Sequence, residues 1–330
     1  MTKYSSFAVI NQNKMDFSDL YTSTDPREYF KYLGQLDYII PHLAQPIFRQ
    51  IIRARRQVQD GPVTVLDLGC SYAINGALMK YALGYEQLRQ RYTAPALQGL
   101  TSEELLELDR AYYRAWPKFD DVRVIGLDIS ENAVRYAEAC GILDRGLAID
   151  LESRDPTPEE AEILAGVDLI VSTGCVGYVT SKTFRRLAKV TRKDRAPWVA
   201  SFVLRMFPYD EIAATLAEQG LDTEPYEGAT FVQRRFANRE EMEATIRAVE
   251  ARGLDSSGRE TEGLYHANLF VSRPLQEVER CPIQKLVTVV SGVNKLWNVG
   301  ANVLGGFGPA VRQRARAERL RPARPVLASS

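Results

Sequence analysis

VTVLDLGCSYAINGALMK, residues 63–80, is a short apolar run rich in branched residues, then a turn of small residues, then a stretch with helical spacing. That is a strand, loop and helix. The alternation returns as VRVIGLDISENAVRYAEACG from Val122, where Asp128 ends the strand and Ser130 caps a helix that stops at Gly141. GLAID (146–150) is a third strand, followed by a helix announced by Thr157 as N-cap, Pro158 at the first helical position and Glu160 three residues beyond the cap. VDLIVSTG from Val167 is the fourth. WVASFVLRMF from Trp198 is a fifth strand, apolar enough to be buried on both faces, with PYDEIAATLAEQG as its crossover helix. Five such units predict a mostly parallel α/β sheet with helices on both faces. ATFVQRRF (229–236), a helix capped by Asn238, and GLYHANLFVSRP (263–274) add two strands as an antiparallel edge, seven in all.

Three parts follow. Residues 1–60 hold an aromatic cluster (Tyr21, Tyr29, Phe30, Tyr32, Tyr38) and the helix PIFRQIIRARRQ, and are expected to form a lid. Residues 61–275 form the α/β domain, with an inserted helix in 85–120 where Thr101 and Glu104 make a capping box. Residues 276–330 are a C-terminal extension: 286–311 carries one charge, Lys295, and is followed by six arginines and one glutamate. Five glycines and Lys295 interrupt it short of the roughly 20 apolar residues a spanning helix needs, so a helix packed on its own domain or on a second subunit, as a homodimer, with a solvated basic tail is expected, and weak membrane-surface association is the alternative.

At 330 residues, 45% hydrophobic and 25% charged, the composition is that of a globular chain. Lys plus Arg and Asp plus Glu number 42 each, so no global field draws nucleic acid. Four separated cysteines without a CxxC pair, and only two histidines, predict no zinc or all-histidine metal site. The N-terminus lacks a secretory signal's pattern, and a cytoplasmic location is the expectation.

Ligands of open parallel sheets gather at the strands' carboxyl ends. Here those ends read Asp67-Leu68-Gly69-Cys70-Ser71, Asp128-Ile129, Asp150-Leu151 and Ser172-Thr173-Gly174-Cys175-Val176-Gly177-Tyr178. The spacing GxGxxG of a dinucleotide site is missing, since no glycine follows Gly69 until Gly76. A carboxylate at Asp67 would repel a pyrophosphate and attract an ammonium. These residues resemble the class I S-adenosylmethionine-dependent methyltransferases, over about residues 60–205, through VLDLGC and the acid ending the second strand. The resemblance implies a Rossmann-like sheet and S-adenosylmethionine as cofactor. Asp67 and Gly69 would then hold the methionine part, Asp128 the ribose, Asp150 the adenine edge, and Ser172, Thr173 and Gly174 the sulfonium neighbourhood, with Cys70, Ser71, Ile129 and Leu151 as further cofactor-binding residues. Where the family usually has glycine this chain has Ser71, and often also at Ala73, which predicts a displaced or stiffer loop.

Three candidates for the chemistry remain: Tyr178, whose ring can face a sulfonium; Asn132, a polar group near the ligand; and His266, a base if it faces inward, though a structural role fits its strand pattern. Cys70 and Cys175 read as compact fillers. The fourth strand lacks the NPPY or DPPY that resembles base-methylating enzymes, so a small molecule is the expected substrate. The activities in view are methyl transfer to a metabolite, cyclisation of S-adenosylmethionine itself to azetidine-2-carboxylate and methylthioadenosine, as in a small group of cyclases on the same fold, and non-catalytic binding of an adenosyl ligand.

Overall fold

The computed structural model describes residues 23–192 and 195–289, and the described part through Thr288 is one compact unit. Helices α1 (Arg27–Gln35) and α2 (Ile40–Arg56) lead into β1 (Val63–Leu68) and α3 (Ile74–Lys80). An insertion of α4 (Tyr85–Thr93), α5 (Pro95–Gln98) and α6 (Ser102–Ala115) follows. Then β2 (Val122–Asp128), α7 (Glu131–Ala139), β3 (Arg145–Ala148), α8 (Pro158–Ala165), β4 (Leu169–Thr173), α9 (Ser181–Val190) and β5 (Trp198–Leu204) alternate. The chain continues through α10 (Asp210–Ala217), β6 (Leu221–Pro225), β7 (Phe231–Arg235), α11 (Arg239–Ala251), β8 (Leu264–Pro274), α12 (Leu275–Arg280) and α13 (Ile283–Leu286).

The sheet runs β3-β2-β1-β4-β5-β8-β6, with β7 on β8 beside β6. β1 to β5 are parallel, and β8 is antiparallel to β5, β6 and β7. This is the Rossmann-like methyltransferase sheet the sequence implies, with eight strands rather than seven. The addition is β6, whose sequence LDTEP carries two acids and a proline and has the look of a loop; such residues are tolerated on an edge, where one side of the backbone needs no partner. β8 is correspondingly not the edge but an inner strand.

Local signals hold where they were read. Thr101 and Glu104 exchange backbone N–H bonds reciprocally, as do Thr157 and Glu160, and Ser130 and Asn238 cap α7 and α11. All seven residues of β5 are buried. α2 lays Ile47, Phe48, Ile51 and Ile52 on the sheet, with Phe48 edge-on to Phe202 at 5.5 Å and Phe202 edge-on to Phe231 at 4.9 Å. Burial of each such side chain is worth about 1.5–3 kcal/mol.

The inserted region holds three helices rather than one. Its buried Asp109 accepts from the hydroxyls of Tyr92 (2.6 Å) and Tyr136 (2.7 Å) and from Arg91, tying the insertion to α7. α1 docks on it: Phe30 stacks on Tyr92 at 5.0 Å, and Arg27 donates to the carbonyls of Leu97 and Leu100, each at 2.8 Å. Tyr32, grouped with the aromatic cluster by sequence, is instead 45% exposed, and Tyr21 lies outside the described residues. Among the described residues no helix is long and apolar enough to cross a membrane. From residue 290 on, the apolar segment and basic tail lie outside the described residues.

Candidate ligand-binding site

Strand order reverses between β1 and β4, so the crevice at their carboxyl ends is the place for a ligand. Asp67 stands there, fully buried, paired in register with Gly126 of β2 and Val171 of β4. Asn75, in the first turn of α3, donates its amide to Asp67 Oδ1 (3.3 Å) and to Thr173 Oγ1 (2.9 Å), bridging the two strands. Asp67 Oδ2, Asn75 Oδ1 and Ser71 Oγ are buried without a hydrogen-bond partner. Burial pushes the Asp67 carboxyl up to about 7 against the opposing bonds from Asn75 and the Gly76 N–H, with the Asp128 carboxylate adding to the rise.

The loop after β1 is bent by left-handed residues: Gly69 (φ 71°), Ser71 (φ 49°) and Ala73 (φ 54°). The two positions where the resembling family favours glycine thus keep the glycine-like backbone without the glycine. Asp128 holds the turn: its Oδ2 accepts the Ser71 N–H at 2.8 Å and its Oδ1 the Ser130 N–H at 3.0 Å. Burial raises the Asp128 carboxyl and these amides oppose the rise. Gly69 is required for space as well, since a Cβ there would sit 2.6 Å from Cys175 Cβ. The loop after β4 is equally tight: a Cβ on Gly174 would lie 2.0 Å from Gln233 Nε2.

Around this centre, Ile129 directs an apolar side chain, 75% exposed, from the end of β2, and Asp150 is exposed at the end of β3 beside the buried Leu151. Ser172 is fully buried and Thr173 is bound by Asn75. Burial pushes the Cys70 thiol well up and the Cys175 thiol up to about 12, so both stay protonated. The three candidates for chemistry sit on separate elements. Tyr178 is 54% exposed on the loop after β4, Asn132 is half-buried in the first turn of α7, and His266 is nearly buried on β8 opposite Val232 with Nδ1 2.9 Å from Thr230 Oγ1. Among the described residues no cluster of metal-ligating side chains occurs.

Asn75, Gln233 and Glu152 are not singled out by the sequence, and Tyr38 enters it only as a member of the aromatic cluster. The segment 36–39 bonds along β7, Ile39 N–H to Gln233 O at 2.8 Å and Arg235 N–H to Leu36 O at 2.7 Å, which brings the Tyr38 hydroxyl to Thr173 and Tyr29. Burial pushes that phenol up to about 12. Tyr29 meets Tyr38 and Tyr72 edge-on at 6.2 and 6.1 Å. Glu152 accepts from the N–H and hydroxyl groups of Thr180 and Thr183, binding the Asp150 loop to the start of α9. Besides Tyr38, Asn75 leaves a trace in the sequence, as a polar residue among the apolar ones of α3.

No family model matches this chain and no curated protein matches it. Among solved structures, it is similar to the plantazolicin methyltransferase BpumL in complex with S-adenosylhomocysteine (10% identity, 82% of this chain, 98% of that chain, TM-score 0.40). It is similar also to the magnesium protoporphyrin IX methyltransferase of Synechocystis PCC 6803 with bound S-adenosylmethionine (14%, 71% and 80%, 0.33). A third is a TehB-like S-adenosylmethionine-dependent methyltransferase from Corynebacterium glutamicum ATCC 13032 (13%, 67% and 86%, 0.33).

Proposed function

We propose that the crevice binds S-adenosylmethionine and that the chain transfers its methyl group to a small molecule. The observation behind this reading is the buried, half-satisfied carboxyl of Asp67 at the switch point of the sheet. With Asn75 Oδ1 it forms a pair of unmatched acceptors, beside a Ser71 hydroxyl free to accept or donate, which suits the ammonium of a methionine moiety and repels a pyrophosphate. Asp67, Gly69, Cys70 and Ser71 would hold the methionine part, Asp128 the ribose diol with its remaining lone pairs, and Ile129, Asp150 and Leu151 the adenine. When bound, S-adenosylmethionine supplies an electrophilic methyl carbon. The chain's part is chiefly to position: Ser172, Thr173 and Gly174 border the reacting centre, and Tyr178 offers a ring face worth about 0.5–2 kcal/mol to a cation. Asn132 and His266 remain candidates for orienting the substrate or taking its proton.

One observation favours a second reading. A carboxyl poised near pH 7 can take the proton of the α-ammonium of S-adenosylmethionine, here as substrate, so that the neutral amine attacks the γ-carbon while the Cγ–S bond breaks and its electron pair stays on sulfur. Azetidine-2-carboxylate and methylthioadenosine then leave. Incubation with S-adenosylmethionine alone, and then with candidate acceptors, separates the readings by the nucleoside that mass spectrometry finds. S-adenosylhomocysteine formed only with an acceptor supports methyl transfer, and methylthioadenosine above the uncatalysed background replaces it with cyclisation. Binding without either nucleoside across the acceptors tried would favour a non-catalytic adenosyl binder.

A further inference from the structure

At the opposite, amino-terminal end of the same strands, polar atoms are again buried without partners, but of the other kind. Arg55, at the end of α2, is 1% exposed, and its Nε and one terminal nitrogen have no acceptor. Trp198, first residue of β5, lies under it, with the guanidinium carbon 5.3 Å from the ring centroid. The Arg273 guanidinium, from β8, lies 5.4 Å from the same ring, and Arg273 is also 1% exposed. The N–H groups at Arg273 Nε, Arg195 Nε and Trp198 Nε1 are orphaned too, which makes five unmatched donors, with two cations over one indole and a third, Arg195, within electrostatic reach of Arg55.

The acids nearby are mostly committed. Asp168 accepts from Arg195 (2.8 Å), Gln59 (3.0 Å) and the Thr64 N–H (3.0 Å). Glu224 accepts from Arg273 (2.6 Å) and the Ile283 N–H (2.9 Å). Glu277 lies within electrostatic reach of Arg55 without bonding it, and its Oε2 and Gln59 Oε1 are the unmatched acceptors of the cluster. The Arg192 cation also faces Arg55. A guanidinium does not give up its proton in a protein, so a buried one must find a counter-charge or bear the full cost of its desolvation. Water can satisfy the donors but not the charge. Arg195, with its side chain about one-third exposed, leaves the cluster an open side.

We propose that Arg55, Arg195, Arg273 and the Trp198 indole N–H form a binding site for a small oxyanion, distinct from the crevice at the other end of the sheet. Guanidinium forks and an indole donor suit a phosphate-, sulfate- or carboxylate-sized group, and the Trp198 ring provides the apolar floor. Bound there, the anion joins α2, β5 and β8, and it stabilises the fold by binding only the folded chain.

The test uses the full chain and inorganic phosphate, titrated against a bulky organic sulfonate at constant ionic strength, with acetate as a second arm. The expected result is a saturable rise in Tm together with a change in Trp198 fluorescence, read with Trp116 and Trp297 replaced by phenylalanine. Arg55→Met should abolish both responses. Arg195→Gln, at a part-exposed position, should weaken the phosphate midpoint at least tenfold and serves if the first variant does not fold. A response to acetate as strong as to phosphate assigns the site to carboxylates, within the same chemistry. No saturable response in the unsubstituted chain, or an unchanged midpoint in Arg195→Gln, overturns the proposal.

Discussion

The two ends of one sheet bury opposite deficits. Where β1 and β4 finish, the Asp67 and Asn75 oxygens are acceptors left unmatched beside the Ser71 hydroxyl; where β5 begins, the unmatched donors of Arg55, Arg195, Arg273 and Trp198 outnumber the unmatched acceptors of Glu277 and Gln59. The strands between them are apolar and nearly complete in their packing, so neither end can relieve the other. Buried polar groups are ordinarily satisfied, and these two concentrations of exceptions at the termini of the same strands are what the two proposed ligand sites rest on. The ends also differ in how they titrate. A carboxyl can go neutral when it lacks a partner, and Asp67 does so near pH 7; the guanidiniums cannot.

That difference makes Asp67 the largest lever. Its folded pKa is raised above the ordinary carboxylate value, so the folded chain binds the proton more tightly than the unfolded one. Ligand-free stability should therefore fall as pH rises from about 4 through about 7, and stay low above it. Asp67→Asn should recover up to about 4 kcal/mol at pH 8, read by denaturant unfolding, while weakening the binding of S-adenosylmethionine. Binding by the unsubstituted chain should weaken below pH 7 as the carboxyl takes its proton. A variant that gained no stability at pH 8 would show that the acceptor deficit carries no cost. At the other end, Arg55→Met in an anion-free buffer should be neutral to stabilising by about 1–4 kcal/mol, as for buried charges replaced by apolar residues of similar size. A large loss there would mean that Glu277 already neutralises it.

Smaller effects sharpen the comparison. Asp128→Ala should cost about 1.5–3 kcal/mol of S-adenosylmethionine affinity by calorimetry, because it removes a charged acceptor and frees the Ser71 turn together. Tyr38→Phe should cost about 1 kcal/mol of stability, leaving Thr173 short of a hydroxyl, and should change turnover more than fold if the N-terminal segment serves as a lid. Ala73→Gly relieves a left-handed alanine at the N-cap of α3 and should gain about 0.5 kcal/mol in Tm-derived stability, the relief exceeding glycine's entropic cost.

Much of the carboxyl end is legible in sequence because its parts are local. Asp67 and Gly69 stand at the end of one strand, Asp128 at the end of another, and Ser130 announces the helix that follows it. The amino end is not legible. Arg55, Arg195 and Trp198, and Arg273 come from three distant stretches, and each alone reads as a surface arginine or a core tryptophan. β6 escaped for a different reason, since its pairing with β8 depends on partners 49 residues along rather than on its own composition. Tyr38 was seen as part of an aromatic group, but its position is set by backbone bonds to β7 that no side-chain pattern encodes.

Those backbone bonds bear on how the chain is made. Leu36 and Ile39 meet residues near Arg235, about 200 positions later, as does Asp37 through its ion pair with Arg235. At the roughly 5–20 residues per second of synthesis, the N-terminal segment waits about 10–40 s for β7 to emerge. Through that interval β1 to β5 can already pair while Tyr38 has nowhere to rest. The Tyr38 contact with Thr173 thus forms only after a strand made about 200 positions later, and a ribosome stalled before residue 231 would carry a chain with most of its parallel strands and without that contact.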